Sequence, residues 1–425
     1  MDYFEYRAGR LFAENVAVAD IVRQVGSPVF IYSARTLREH YDKIAHAFAA
    51  LDPLICYSVK SCSNVEILRL LAGLGAGFDV VSGGELFRVL KAGGQADRSF
   101  YAGVGKTDEE IRYALSEGLF MFNVESEAEF ENIDRLAGEL GKKPRCALRV
   151  NPDVDPKTHR HTATGKRESK FGVDLRRAEE FFARYGHAKA AKLVGVHLHI
   201  GSPVYTPAPY VEAITKTLEL INRLRAAGYK IDTLDIGGGF AAWYEAGQTV
   251  MMDDYAEAII PLVKDQKLKI VLEPGRYVSC NAGVLVGQVQ YVKTGGDRTF
   301  VILDTGMHHL IRPPLYDAFH FVWPVAPGDD LSPVDRVKEP TLKGLQKCDV
   351  VGPICESSDF LAKDRPLPPV ARGDLLAIFS AGAYGMAMAS NYNSQPRPAE
   401  VLVDHDSFRV IRTRETYEDL MRGEG

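Results

Sequence analysis

Apolar and polar positions follow two rhythms along this chain, and the rhythm changes once. From about residue 55 to residue 276, short apolar runs alternate with longer stretches whose apolar residues recur at helical spacing. The runs are "LICYSVK", "GFDVVSG", "SFYAG", "MFNVES", "RCALRVN", "VGVHLHIGS", "TLDIGGGF" and "IVLEPGR". Between them lie amphipathic segments such as "VEILRLLAGL", "GELFRVLKAG" and "TDEEIRYALSEG". Repeated strand and helix predict a parallel sheet, and eight repeats predict an α/β fold closed into a (β/α)8 TIM-type barrel. An open doubly wound sheet is the alternative. After "RCALRVN", the polar stretch "PDVDPKTHRHTATGKRESKFGV" reads as a loop over one end of the barrel.

After Arg276 the pattern shifts to valine-rich runs separated by Gly, Pro and Asp turns, among them "AGVLVGQVQYVK", "TFVILD", "DLLAIFS" and "AEVLVD". This predicts a C-terminal antiparallel β domain, a sandwich or barrel. The expected division is a barrel over 31–280 and a β domain over 281–425, joined by the first 30 residues, which do not fit the barrel alternation.

Composition narrows the function. A net charge of -5 with no long basic run argues against nucleic acid as a partner. No apolar stretch is long enough to span a bilayer, and the N-terminus lacks a signal-peptide core, so no membrane is expected. The six cysteines lack C-x-x-C spacing, which fits neither a disulfide framework nor a cysteine metal site. A reducing cytoplasm is the expected compartment.

The C-terminal ends of barrel strands carry the chemistry in this architecture. Lys60 ends the first strand, where it either reaches water or forms an imine with a carbonyl compound. Asp79 lies in the second. His197 and His199 share one face of the sixth, and Ser202 follows. Two imidazoles could chelate a metal, but a lysine at the same mouth would repel it, so no metal is expected. His197 reads as a satisfied core histidine, whereas His199 suits stacking on an aromatic ring. Gly237, Gly238 and Gly239 end the seventh strand. Such a turn either merely reverses the chain or closes backbone N–H groups on an anion, and the nearby Ser202 and Arg276 favour phosphate. Glu273 ends the eighth strand. It pairs either with Arg276 or another basic residue, or with a protonated pyridine nitrogen. Amine, phosphate cradle, ring-stacking imidazole and carboxylate together meet the needs of pyridoxal 5'-phosphate.

The stretches "YSVKS", "FDVVSGGEL", "NPDVDPKTH", "HLHIGS", "DIGGGF", "EPGR", "LIRPPLYDAFH", "GPICESSDFLAKDR" and "AGAYGMAMASNYNSQPRPAEVLV" occur in family-like order and spacing. On these, nearly the whole chain resembles the barrel-fold, pyridoxal phosphate-dependent decarboxylases, and most closely the branch that converts meso-2,6-diaminopimelate to L-lysine. The resemblance implies that Lys60 carries the cofactor as an imine, that Asp79 belongs to the cofactor site, and that His199 stacks on the ring. It implies that Ser202, the Gly237–Gly239 turn, Gly275 and Arg276 bind phosphate with help from Tyr384, and that Glu273 meets the pyridine nitrogen. Arg276, Arg312, Tyr316 and Tyr384 would contact substrate, the first three gripping its far carboxylate, and Glu356 would meet its far amino group. Cys355 would donate a proton across a homodimer interface.

The chain departs from the family pattern at Ser380, where Asp is usual, at His308 and His309, where Asn-Asp is common, at Gln395 and at Ser358. These bear on substrate preference rather than on the reaction. The rivals are a sister decarboxylase acting on ornithine, arginine, carboxynorspermidine or a carrier-linked glutamyl group, a racemase on the same type of barrel, and an inactive regulator.

Overall fold

The computed structural model describes residues 2–155, 170–247 and 251–424. These fall into two compact units, one formed by 40–241 and 250–277, the other by 1–39, 242–249 and 278–425. Among the described residues no helix is long and apolar enough to cross a membrane.

The first unit is the barrel, and all eight expected runs supply its strands: Leu54–Ser58, Gly77–Val80, Ser99–Tyr101, Met121–Val124, Arg145–Asn151, Lys192–Leu198, Thr233–Asp235 and Lys269–Leu272. Neighbours pair in parallel, and the ring closes where Val271 and Leu272 meet Leu54 and Ile55. Closure rather than an open sheet follows from this last pairing. The polar insertion after the fifth strand contributes a two-residue strand, Val173–Asp174, beside Val150 and Asn151. Its residues 156–169, including the end of "NPDVDPKTH", lie outside the described residues.

Local chemistry sets the helix starts. Asn64, Ser82, Thr107, Ser126 and Asp174 each cap a helix by accepting a backbone N–H with the side chain. Each such cap is worth about 1 kcal/mol.

The inner faces of the strands change character along their length. Leu54, Cys56, Phe100, Met121, Ala147 and Val271 form an apolar floor inside the ring. Side chains alternate along a strand, so the residue two positions on points the same way. Cys56 is followed by Ser58, Met121 by Asn123, Ala147 by Arg149 and Val271 by Glu273. The register sets His197 beside both Arg149 and Asp235, and Ser58 beside Asp79. A polar layer therefore sits on the apolar floor, at the C-terminal end of the ring.

The second unit contains a nine-stranded sheet. Its expected antiparallel character needs correction at two places. Arg298–Leu303 pairs in parallel with Gln346–Val351, and Val29–Ser33 pairs in parallel with Ala399–Asp404. Val29–Ser33 also pairs with Gly283–Val286, so it lies inside the sheet, and all five of its residues are buried. Its pairing with Gly283–Val286 and Ala399–Asp404 places the strand straddling residue 31 in this unit and not in the barrel.

Candidate active site

Lys60 stands just beyond the first barrel strand in a short 3-10 turn, Val59–Ser61. Its Nζ is 2.5 Å from Asp79 Oδ2; the lysine side chain is 35% exposed and the aspartate fully buried. Ser58 Oγ donates to the same Oδ2 at 2.5 Å. The other oxygen, Asp79 Oδ1, is buried without a hydrogen-bond partner. Burying a carboxylate oxygen unpaired is costly, so this site is built to receive something more than its own lysine.

His199 is held by the glycine turn. Gly238 N–H donates to His199 Nδ1 at 3.2 Å. Burial, with Arg149 and Lys60 nearby, pushes the imidazole well below its ordinary range, so the ring is neutral. A neutral flat ring is suited to stacking on another ring.

The turn itself has a reason beyond anion binding. Gly237 N–H donates to Asp235 Oδ1 at 2.9 Å, so two of its three amides are committed inside the protein. A Cβ on Gly238 would come 2.1 Å from the Glu273 carbonyl oxygen, and Gly239 has φ +106 and would meet the Gly201 carbonyl oxygen at 2.3 Å. Only glycine permits these backbones to approach so closely. Arg276 Nε donates to Ser202 Oγ at 3.0 Å, which puts a cation and a hydroxyl together beyond the sixth and eighth strands.

Glu273 is buried, and its basic neighbour is His197 at 3.5 Å, another basic residue and not Arg276. Asn123 Nδ2 donates to Glu273 Oε1 at 3.2 Å. Burial pushes this carboxyl up, but the His197 imidazole and the Lys60 ammonium outweigh it and hold the group ionised. His197 is in the core, yet neither ring nitrogen has a hydrogen-bond partner. The expectation of a satisfied core histidine is therefore corrected: Glu273 Oε2 at 3.5 Å gives it an ion-pair contact but no hydrogen bond.

The sequence reading did not single out Ser58, Asn123, Arg149 or Asp235. Arg149 makes a buried 2.9 Å ion pair with Glu125, and its guanidinium lies over the Phe171 ring at 4.7 Å. Lys106 donates to Glu129 at 2.6 Å and to the carbonyls of Gly103 and Asn123. For Ser58, Asn123 and Arg149 the signal was available as a polar residue two positions after an apolar inner-face residue, whereas Asp235 follows Thr233 and gave no such signal.

The remaining expected residues lie in the second unit. Arg312 opens a short helix, Arg312–Tyr316, is buried, and donates from Nε to His320 Nε2 at 3.3 Å. Its guanidinium lies 5.2 Å from the Tyr244 ring centre and 6.0 Å from those of Tyr316 and Tyr384. Among the described residues it has no carboxylate partner. Cys355 is exposed, and its N–H donates to Asn393 Oδ1 at 2.9 Å. Glu356 accepts from Ser358 Oγ, and this bond together with one from Tyr392 lowers its carboxyl below the usual range.

The profile described as "Pyridoxal-dependent decarboxylase, pyridoxal binding domain" matches residues 34–280. The chain is 45% identical to the diaminopimelate decarboxylase of Aquifex aeolicus, over 99% of this chain and 96% of that one. It is also 45% identical to the diaminopimelate decarboxylase of Pseudomonas aeruginosa, over 100% and 99%. A crystal structure of diaminopimelate decarboxylase from Helicobacter pylori complexed with L-lysine superposes with a TM-score of 0.89 at 39% identity, covering 95% of this chain and 98% of that one.

Proposed function

This chain belongs to the pyridoxal-dependent decarboxylases, and we propose that it releases carbon dioxide from meso-2,6-diaminopimelate to give L-lysine. The observation that carries the substrate reading is Arg312. A buried guanidinium ringed by tyrosines and lacking a carboxylate is costly to keep. The far carboxylate of diaminopimelate supplies what it lacks, and the fork geometry of arginine suits it. Ornithine, with an amine at that end, would leave Arg312 unpaired.

The residues at the barrel mouth fit pyridoxal phosphate. Lys60 would hold its aldehyde carbon, His199 its ring face, Glu273 its ring nitrogen, and Ser202, Gly239, Gly275 and Arg276 its phosphate, with Tyr384 assisting. The unpartnered Asp79 Oδ1 is the internal sign that a ligand completes this layer. The bound cofactor supplies an electron sink for the pair left behind when the carboxylate departs.

The chain's own groups manage protons and position. Lys60 must lose a proton before it can act as a nucleophile, and Asp79 Oδ2 at 2.5 Å is placed to take it. Glu273, ionised and shielded from water, holds a cation at the ring nitrogen. Arg276 and Tyr316 join Arg312 on the far carboxylate, and Glu356 takes the far ammonium. The Cys355 thiol returns a proton to Cα. Its exposure in the single chain fits a second copy completing the site, so the proposal extends to a homodimer, working in the cytoplasm. Polar recognition of the far end rejects analogues lacking it by roughly 10⁴-fold.

The test is an absorbance scan of the purified protein followed by incubation with meso-diaminopimelate and, separately, with ornithine. A yellow protein releasing carbon dioxide only from the first is expected. Lys60→Ala should lose the lysine-bound absorbance band and lower turnover by about 10³-fold or more. Activity on ornithine instead would transfer the chain to a sister reaction. A colourless protein that cannot be reconstituted would mark an inactive relative.

A further inference from the structure

The polar layer contains a carboxyl that the reaction as described does not use. Asp235 ends the seventh strand, fully buried. Its Oδ1 accepts from Gly237 N–H at 2.9 Å and its Oδ2 from Asn123 Nδ2 at 3.1 Å. The same Asn123 nitrogen is 3.2 Å from Glu273 Oε1. His197, Asp235 and Glu273 bring their polar atoms within 4.8 Å of one another. Asp235 is therefore faced by Glu273 from the eighth strand, His197 from the sixth, Asn123 from the fourth and the Cys56 thiol from the first.

Two carboxyls this close, sealed from water, do not both stay ionised; the pair keeps one proton. The surroundings decide which carboxyl holds it. Glu273 has the imidazole 3.5 Å away and feels the Lys60 ammonium. Asp235 has burial and the Glu273 charge, which both push it well above the usual carboxylate range.

We propose that Asp235 is a neutral carboxylic acid in the working enzyme and a positioning residue that donates its hydrogen bond to Glu273. In this arrangement the single negative charge of the pair stays on the residue that faces the ring nitrogen. The inference rests on the assignment of Glu273 to that nitrogen. It also gives Asn123 a task, since its one amide nitrogen reaches both carboxyls and fixes their separation. The Gly237 amide occupies Asp235 Oδ1, which leaves Oδ2, the oxygen that shares Asn123 Nδ2 with Glu273, to carry the acid proton.

The distinguishing variant is Asp235→Asn. An amide is the neutral isostere of a neutral acid: its oxygen keeps the Gly237 N–H and its nitrogen donates to Glu273. Asn123 Nδ2 gives up its Asp235 acceptor and keeps its bond to Glu273 Oε1. Infrared spectra of holoenzyme labelled with 13C in the aspartate side-chain carboxyl would be compared between wild type and Asp235→Asn. The expected result is an un-ionised carboxyl stretch that shifts with the label and is missing from the variant. The absorbance of the bound cofactor, titrated with pH, should match between the two within about 0.3 pH unit. No such band in the wild type, or a titration displaced by more than about one pH unit, would overturn the proposal. Glu273→Gln separates the two layers of the argument. If its cofactor titration matches wild type, the ring-nitrogen assignment falls and the tuning role with it, while the infrared band still reports the state of Asp235.

Discussion

Both units bury polar groups, but they bury them differently. At the barrel mouth Asp79 Oδ1, Asn123 Oδ1 and both nitrogens of His197 have no hydrogen-bond partner, and all belong to one layer, on alternate strands of the ring. In the second unit both nitrogens of His308 and two of Arg365 are equally bare, but each group is covered by a ring: His308 by His309 at 3.7 Å, Arg365 by Phe319 at 4.4 Å. Others find partners, as His309 does in the Pro396 carbonyl, His320 in that of Phe379 and Tyr32 in Glu400 Oε1. An unsatisfied buried atom alone does not mark a site. Several of them on facing strands, with opposite charges among them, do.

The largest expected effect that sharpens this contrast is Glu273→Gln. In the mouth the charge serves the reaction and not the fold, because glutamine at position 273 would keep the size and a hydrogen-bond acceptor and lose only the charge. The variant should lose about 10²- to 10³-fold in kcat, the scale of one preorganised electrostatic partner. Its thermal midpoint should change by only a few degrees, since the amide oxygen can still accept a hydrogen bond and no buried charge is left to desolvate. A loss under tenfold, or a fall in midpoint that accounts for the lost activity, would make Glu273 a structural group like those of the second unit.

The barrel was legible because its strands are short, buried and regularly spaced, and because parallel pairing leaves few ways to connect them. Lys60, Asp79 and Glu273 were legible as charges placed where apolar runs end. Asp235 and Asn123 were not, because an Asp in "LDIGG" or an Asn in "MFNVE" looks like turn chemistry until the register shows them on the inner face beside Glu273. The mixed pairing of the second sheet escaped for a different reason. Parallel partners such as Val29–Ser33 and Ala399–Asp404 lie far apart in sequence, and no local pattern records which strands meet. The glycine turn was read for its amides, whereas the contacts a Cβ would make explain glycine there without any ligand.

His308 tests the other side of the comparison. Burial lowers its imidazole to about 4. An unfolded histidine titrates near 6.5, so the folded state disfavours the proton. Its contribution is fully present above about pH 6.5, declines by about 1.4 kcal/mol per unit as pH falls, and is lost below about pH 4, about 3 kcal/mol in all. His309, also pushed down by burial and by His308, adds to the same trend. Thermal midpoints of wild type and His308→Asn should therefore converge between pH 7 and pH 5, the wild type losing more. Parallel curves would mean that His308 accepts a proton without penalty, and that the second unit shelters charge as the barrel mouth does.

Ser380 should give the smallest effect and the cleanest separation of fold from reaction. It sits at φ +55 where the family usually has Asp, so the sequence pointed to it as a site difference. Its hydroxyl donates to the Trp243 carbonyl at 3.0 Å and accepts from Asn281 Nδ2 at 3.0 Å, so it ties two loops of one unit together. Asn281 Nδ2 also bonds the Trp243 carbonyl, so the tie does not rest on the serine alone. Ser380→Ala should then cost about 1 kcal/mol of stability, the net worth of a buried neutral hydrogen bond. Its kcat/KM for meso-diaminopimelate should stay within about twofold of wild type, because no charge or substrate-facing group is removed. A larger change in kcat/KM at unchanged stability would place Ser380 among the groups that select substrate, and the departure from Asp would then have altered specificity rather than loop packing.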